Sequence, residues 1–200
     1  MELQPLSLDN FGDYERLTAC GDDGKVCYCS FWHLKVGSMA DYDAMKARDP
    51  LALREIVRSK VIAGFHVGAL AYDGTRLIAW ISVGLLPETY WCWKRVAAVG
   101  QERAQRTAGI TCLTLASDAR GEGRQVEVAR ALRRYGHERG WSTIEAYPFE
   151  DAAIAKTPSL AWAGFARPYA AAGFARIEDH WLSREGFERS IYAADTIESP

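Results

Sequence analysis

One stretch constrains this chain more than any other. Residues 110–116 read ITCLTLA, an apolar run rich in β-favouring side chains, which predicts a buried strand. The run leads directly into Ser117-Asp118-Ala119-Arg120-Gly121-Glu122-Gly123-Arg124-Gln125. A helical pattern follows over residues 123–139, with Val128, Ala131, Leu132 and Tyr135 on one face. It stops at Gly140, where a left-handed C-cap is expected. The first N–H groups of a helix lack internal partners, and the helix dipole adds partial positive charge there. Two glycines let backbone approach a ligand closely, and Arg120 and Arg124 add fixed charge. Strand, glycine loop and helix together predict a phosphate or diphosphate site.

The remaining chain reads as mixed α/β. Residues 26–34 (VCYCSFWHL) predict a strand, with Cys27, Cys29, Phe31 and His33 on one face. Residues 38–60 predict two helices, the second capped near Asp49. Residues 68–72 and 77–83 flank Asp73-Gly74 and predict a hairpin. Residues 88–109 predict a loop with a short helix. Residues 141–147 predict a strand stopped by Pro148. An Ala-rich helix is expected over residues 159–172, with Pro168 as a defect, and two last strands near residues 175–182 and 187–194. This order is not a repeating strand–helix–strand array, and one domain over residues 1–200 is the expectation.

Charge and composition exclude several function classes. Lys and Arg number 24 against 26 Asp and Glu, so no basic excess points to nucleic acid. No run approaches the roughly 18 apolar residues of a membrane span, and the N-terminus has no signal-peptide pattern. A cytoplasmic protein with reduced cysteines is therefore expected. The C-x-C spacing of Cys27 and Cys29 is poor for structural zinc, so no metal is expected. Seven Trp imply a large aromatic core or an aromatic-lined pocket.

The loop separates phosphate-binding families. It lacks the G-x-x-x-x-G-K-[ST] string, and Val126 stands where a dinucleotide fingerprint needs its third glycine. Arg120-x-x-Gly123-x-Gln125 instead resembles the [QR]-x-x-G-x-[GA] pyrophosphate loop of the GNAT superfamily of acyl-CoA N-acyltransferases, departing from it at Gln125. Tyr169 stands four residues before Gly173-Phe174, as in that family, and the Asp73-Gly74 hairpin with Trp80 resembles its second and third strands. The resemblance spans residues 26–194. Cys27, Cys29 and Trp32, with Glu145, Tyr147 and Pro148, resemble a narrower bacterial subgroup.

The resemblance implies a mostly antiparallel sheet of about seven strands, splayed between parallel fourth and fifth strands, with helices on both faces. It implies acetyl-CoA as cosubstrate and a small-molecule primary amine as acceptor, attacking the thioester directly, and it allows a homodimer. Pantetheine would bond backbone at Leu113, Thr114 and Leu115. The diphosphate would sit on Arg120, Gly121, Glu122, Gly123, Arg124, Gln125 and Val126. Tyr169 would be the general acid, with Tyr147 as alternative donor and Glu145 as candidate base. The usual fourth-strand acid is missing, since Thr111, Cys112 and Thr114 stand there, and Trp162 stands where the family has a cofactor-binding Asn. A catalytically degenerate acyl-CoA-binding or regulatory module is the alternative.

Overall fold

The computed structural model describes residues 1–18, 28–34, 38–150 and 161–198. Seven strands form one sheet: β1 (Glu2–Pro5), β2 (Ala69–Asp73), β3 (Arg76–Leu85), β4 (Thr107–Leu115), β5 (Thr143–Ala146), β6 (Ala175–Asp179) and β7 (Ser190–Asp195). Their spatial order is β1-β2-β3-β4-β5-β7-β6, and only β4 and β5 run parallel. The helices are α1 (Phe11–Thr18), α2 (Met39–Arg48), α3 (Pro50–Ile62), α4 (Trp93–Val99), α5 (Gln101–Ala104), α6 (Arg124–Glu138) and α7 (Ala166–Ala171). No described helix is long and apolar enough to cross a membrane.

Alternation along the strands divides the core in two. Ala69 and Ala71 of β2 pack in the cluster beneath α6 and α7, with Ile81, Val83, Ile110, Leu113 and Ile144. Leu70 and Tyr72 face the other way, with Trp80, Cys112 and the buried residues of α1 and α3. The hairpin turns at Gly74-Thr75, where Gly74 takes a positive φ of 60°.

Several local signals hold. The Asp49 carboxylate accepts from the N–H groups of Leu51 and Ala52 at 3.0 and 3.2 Å, capping α3. α6 ends in a Schellman arrangement: Trp141 N–H donates to Gly136 O and Gly140 N–H to His137 O, both at 2.9 Å. Gly136 lets the helix lie close, since a methyl there would stand 2.9 Å from Ile144.

Other expectations are corrected. Residues 28–34 are not a strand. Tyr28 and Cys29 both take φ 48°, the left-handed region, and Ser30–His33 is a 3-10 turn. The Tyr14 hydroxyl donates to Tyr28 O and pins this turn. The expected strand at residues 26–27 and the first part of the Ala-rich helix lie outside the described residues. The outer strand is instead β1, four residues long. Residues 88–109, expected as a loop with a short helix, hold a 3-10 turn, two short helices and the start of β4. Pro168 is no defect, because α7 begins at Ala166 and the first turn needs no proline N–H.

Asp49→Ala is expected to lower the unfolding free energy by about 1 kcal/mol without changing the fold. Urea unfolding followed by circular dichroism checks this.

Candidate functional site

The sheet opens where β4 bends. Val83 pairs with Ile110 and Ser82 with Cys112, so Thr111 is an extra residue, a β-bulge. Its hydroxyl donates to the Ser82 Oγ at 3.0 Å, which settles the otherwise orphaned position. Pairing with β5 runs from Thr107↔Thr143 to Ile110↔Ala146 and ends at that bulge. Beyond it, Ala116 N–H bonds Ile78 O of β3, while Leu113 N–H faces the opening. Strand alternation therefore aims Leu113 and Leu115 at the open edge.

That edge is bridged by the chain itself. Leu113 N–H donates to Trp162 O at 2.6 Å. On the other side, Phe149 N–H donates to Gly164 O at 3.1 Å and Ala166 N–H to Phe149 O at 3.0 Å. Residues 161–165 thus lie as a strap between β4 and the continuation of β5.

At the mouth of the splay, Gly121 and Gly123 have φ 78° and 72° and turn the chain into α6. The N–H groups of Gly121, Glu122, Gly123, Arg124 and Gln125 donate to no described acceptor, while Val126 N–H is taken by Gly123 O at 3.0 Å. The side chains are less favourable to an anion than the two arginines promised. Arg124 pairs with Asp73, Glu122 and Glu127 at 3.1, 3.3 and 2.9 Å. Arg76 lies against Asp118 and Glu122 at 3.3 and 3.7 Å. The Arg120 guanidinium turns back to Leu115 O at 3.4 Å. Two guanidinium groups, Arg76 and Arg124, meet four carboxylates here, so an anion must rely on backbone donors and rearranged pairs.

No protein-family model and no curated sequence matches this chain. Solved structures do. Aminoglycoside acetyltransferase AAC(6')-Ib, crystallised with ribostamycin and coenzyme A, superposes with a TM-score of 0.56 at 13% identity over 96% of this chain and 92% of that one. A GNAT-family acetyltransferase from Bacillus cereus gives 0.53 at 10% identity over 98% of both chains. A ribosomal-protein-alanine N-acetyltransferase from Brucella melitensis gives 0.51 at 12% identity over 98% and 99%. The chain has the GNAT fold.

Within the GNAT fold, the residues expected to act in catalysis are not brought together. Tyr169 belongs to the cluster beneath α6, with none of its surface exposed. Its hydroxyl donates to Ala163 O at 2.8 Å, inside the strap. Burial, with the nearby Cys112 thiol, pushes its pKa well above the ordinary phenol value. Glu145 and Tyr147 lie on the opposite face of β5, against α4. Glu145 is wholly buried and receives both Nε and Nη2 of Arg95 at 2.7 Å. Arg95 also pairs with Glu178. Burial alone would lower the Arg95 pKa, but its bonds to Glu145 outweigh that and raise it. The Tyr147 hydroxyl donates to Glu145 Oε2 at 3.3 Å, and burial raises its pKa far above 10. A methyl at Gly109 would stand 2.8 Å from that hydroxyl, so β4 needs glycine there. In this arrangement Glu145 is an ion-pair anchor, with its lone pairs turned to Arg95 and Tyr147 rather than to the splay.

Sequence reading missed Arg95 and Gly164. A Glu on a buried strand demands a cation, but nothing local names one fifty positions away. Three of the seven tryptophans gather near the strap: Trp32 meets Trp162 edge-on at 5.4 Å and Trp91 stacks on Phe31 at 4.6 Å, while Arg189 lies over Trp162 at 4.8 Å. Cys29 and Cys112 are buried, with Sγ atoms 3.3 Å apart. Cys20 and Cys27 lie outside the described residues. Among the described residues, no three His, Cys, Asp or Glu side chains stand together to hold a metal ion.

Arg95→Leu leaves Glu145 buried and uncompensated, and is expected to destabilise the fold by about 3–5 kcal/mol. Equilibrium unfolding measures it, and Arg95→Leu with Glu145→Leu should recover much of the loss. A second expectation concerns His180. It is buried, stacks on Trp181 at 3.8 Å, and accepts from Leu182 N–H through Nδ1 at 3.1 Å. Burial, then the charges of Arg189 and Arg95, push its pKa down to about 3. The unfolded chain, with an imidazole near 6.5, therefore binds more protons between those values. Stability from this group is complete above pH ~6.5 and falls by roughly 1.4 kcal/mol per pH unit toward pH ~3. Urea unfolding at pH 7 and pH 5 should give a smaller difference in His180→Asn than in wild type.

Proposed function

We propose that this chain is an acetyl-CoA-dependent N-acyltransferase acting on a primary amine of a small molecule. The observation that carries the reading is the opening between parallel β4 and β5, which ends at five successive loop N–H groups without described acceptors. Structural neighbours that carry acetyltransferase names support it through the shared fold.

In this reading the loop donors from Gly121 to Gln125 hold the diphosphate, and the open edge of β4 at Leu113 and Leu115 holds the pantetheine amides. The protein's contribution is then mostly positioning of two substrates. The amine nitrogen attacks the thioester carbonyl, the C–S bond breaks, and the thiolate takes a proton. Tyr169 is the proposed donor. Its raised pKa keeps it protonated at neutral pH, and its hydroxyl must leave Ala163 O to act. With Glu145 held by Arg95, the amine proton leaves through water.

One observation favours a second reading, a non-catalytic acyl-CoA-binding or regulatory module. The acid, the base and the β4 edge are all engaged within the protein. Turnover of acetyl-CoA against a panel of primary amines separates the two.

Coenzyme A titrated calorimetrically into wild type should bind. Gly123→Val places a branched side chain at φ 72°, which strains the backbone that presents the loop donors, and should weaken binding about ten-fold or more. Equal affinity in the folded variant would remove the loop from the site.

A further inference from the structure

The departure of Gln125 from the family loop pattern has a structural partner. Gln125 opens α6, a place where side chains are ordinarily solvated, yet only 8% of it is exposed. Its amide lies under the strap. Nε2 donates to Phe165 O at 3.3 Å, and a methyl on Gly164 would stand 2.5 Å from the same nitrogen. Gly164 takes φ 76°, a conformation that side chains rarely adopt. The strap is therefore shaped to the glutamine from both sides: the residue above it has no side chain, and the next carbonyl accepts its proton.

Three further bonds hold the same five residues. Ala163 O receives the Tyr169 hydroxyl, and Trp162 O receives the Leu113 amide. The Leu113 amide points into the splay, at the position a pantetheine carbonyl would occupy in the reading above. Gly164 O takes Phe149 N–H on the far side. The strap is a turn, closed by Gly164 N–H on Ala161 O at 2.9 Å and wedged into the opening, and it satisfies the Leu113 and Phe149 edge donors internally. A buried edge needs such partners, since an unpaired N–H there would be costly.

We infer that residues 161–165 form an autoinhibitory strap, latched by Gln125 and Gly164, that competes with the acyl-carrying arm of coenzyme A for the β4 edge at Leu113. The inference rests on the acyl-CoA reading of the splay. Binding follows release of the strap, so apparent affinity is the intrinsic affinity scaled by the open fraction. Gly164 and the side chain of Gln125 are positioning groups in this scheme, while the backbone N–H of Gln125 stays among the loop donors. Loosening the latch raises affinity, whereas removing a ligand-binding residue lowers it.

The test uses the full chain, coenzyme A as probe, and two variants. Gly164→Ala presses a methyl against the Gln125 side chain and strains the strap, while every backbone N–H of the diphosphate loop stays in place. Gln125→Ala removes the latch from the helix side and serves if the first variant fails to fold. Calorimetry gives the affinity, and amide hydrogen exchange reads Leu113 and residues 161–165 independently of ligand. The expected result is faster Leu113 exchange in both unliganded variants and coenzyme A bound about ten-fold tighter. Saturating coenzyme A should also raise exchange within residues 161–165 of wild type. Equal affinity in all three proteins, with the strap still protected when coenzyme A is bound, overturns the strap and leaves the acyl-CoA reading intact. A Leu113 amide unchanged in both variants overturns the latch. Variants with a released Leu113 amide that still bind no coenzyme A overturn the strap by removing the acyl-CoA reading beneath it.

Discussion

The single extra residue at Thr111 governs the architecture of the site. A β-bulge bends its strand and disrupts the local ladder, and here it falls where β5 ends its pairing. Had β4 continued flat, Leu113 would face a β5 residue and the sheet would close. The bulge instead leaves an edge in the middle of a seven-stranded sheet. Interior edges are rare because their polar groups must find partners away from water. Everything near the opening follows from that need, including the strap, its glycine and the carbonyls that face inward.

The electrostatics of the two sides of β5 differ in kind. Toward α4, a buried carboxylate and a buried guanidinium are matched with two short bonds, and the pair fixes where α4 sits against the strand. Toward the loop, the ion pairs are exposed and shared among several partners. Exposed pairs of that kind contribute little stability and rearrange easily. A rigid anchor on one face and exchangeable charges on the other suit the proposed entry of an anionic ligand without loss of the frame.

Legibility in the sequence tracked how local each cause was. The hairpin at Gly74, the Asp49 cap and the Gly140 terminus each depend on a few neighbouring residues, and each could be read directly. Residues 28–34 failed for the opposite reason. Their aromatic composition matches a strand, yet the rings turn toward Trp91 and Trp162, and two left-handed residues curl the backbone to reach them. β1 escaped notice because four residues carry almost no periodic signal. At the site, the glycine loop was visible, but the commitment of Glu145 to Arg95 was not. The strap was out of reach for a further reason: its decisive bond joins two backbone groups, and backbone leaves no mark in residue identity.

Gly109 and Tyr147 carry a consequence for how sequences of this shape can diverge. The phenol fills the space a side chain at 109 would need, and it also bonds the carboxylate that Arg95 holds. A bulkier residue at 109 is tolerable only with a smaller one at 147, and that exchange strips one donor from Glu145. The four positions therefore form one unit of variation, in which a single substitution is disfavoured and a concerted one is open. Covariation among them in related chains would trace the packing of this face even where overall identity has faded.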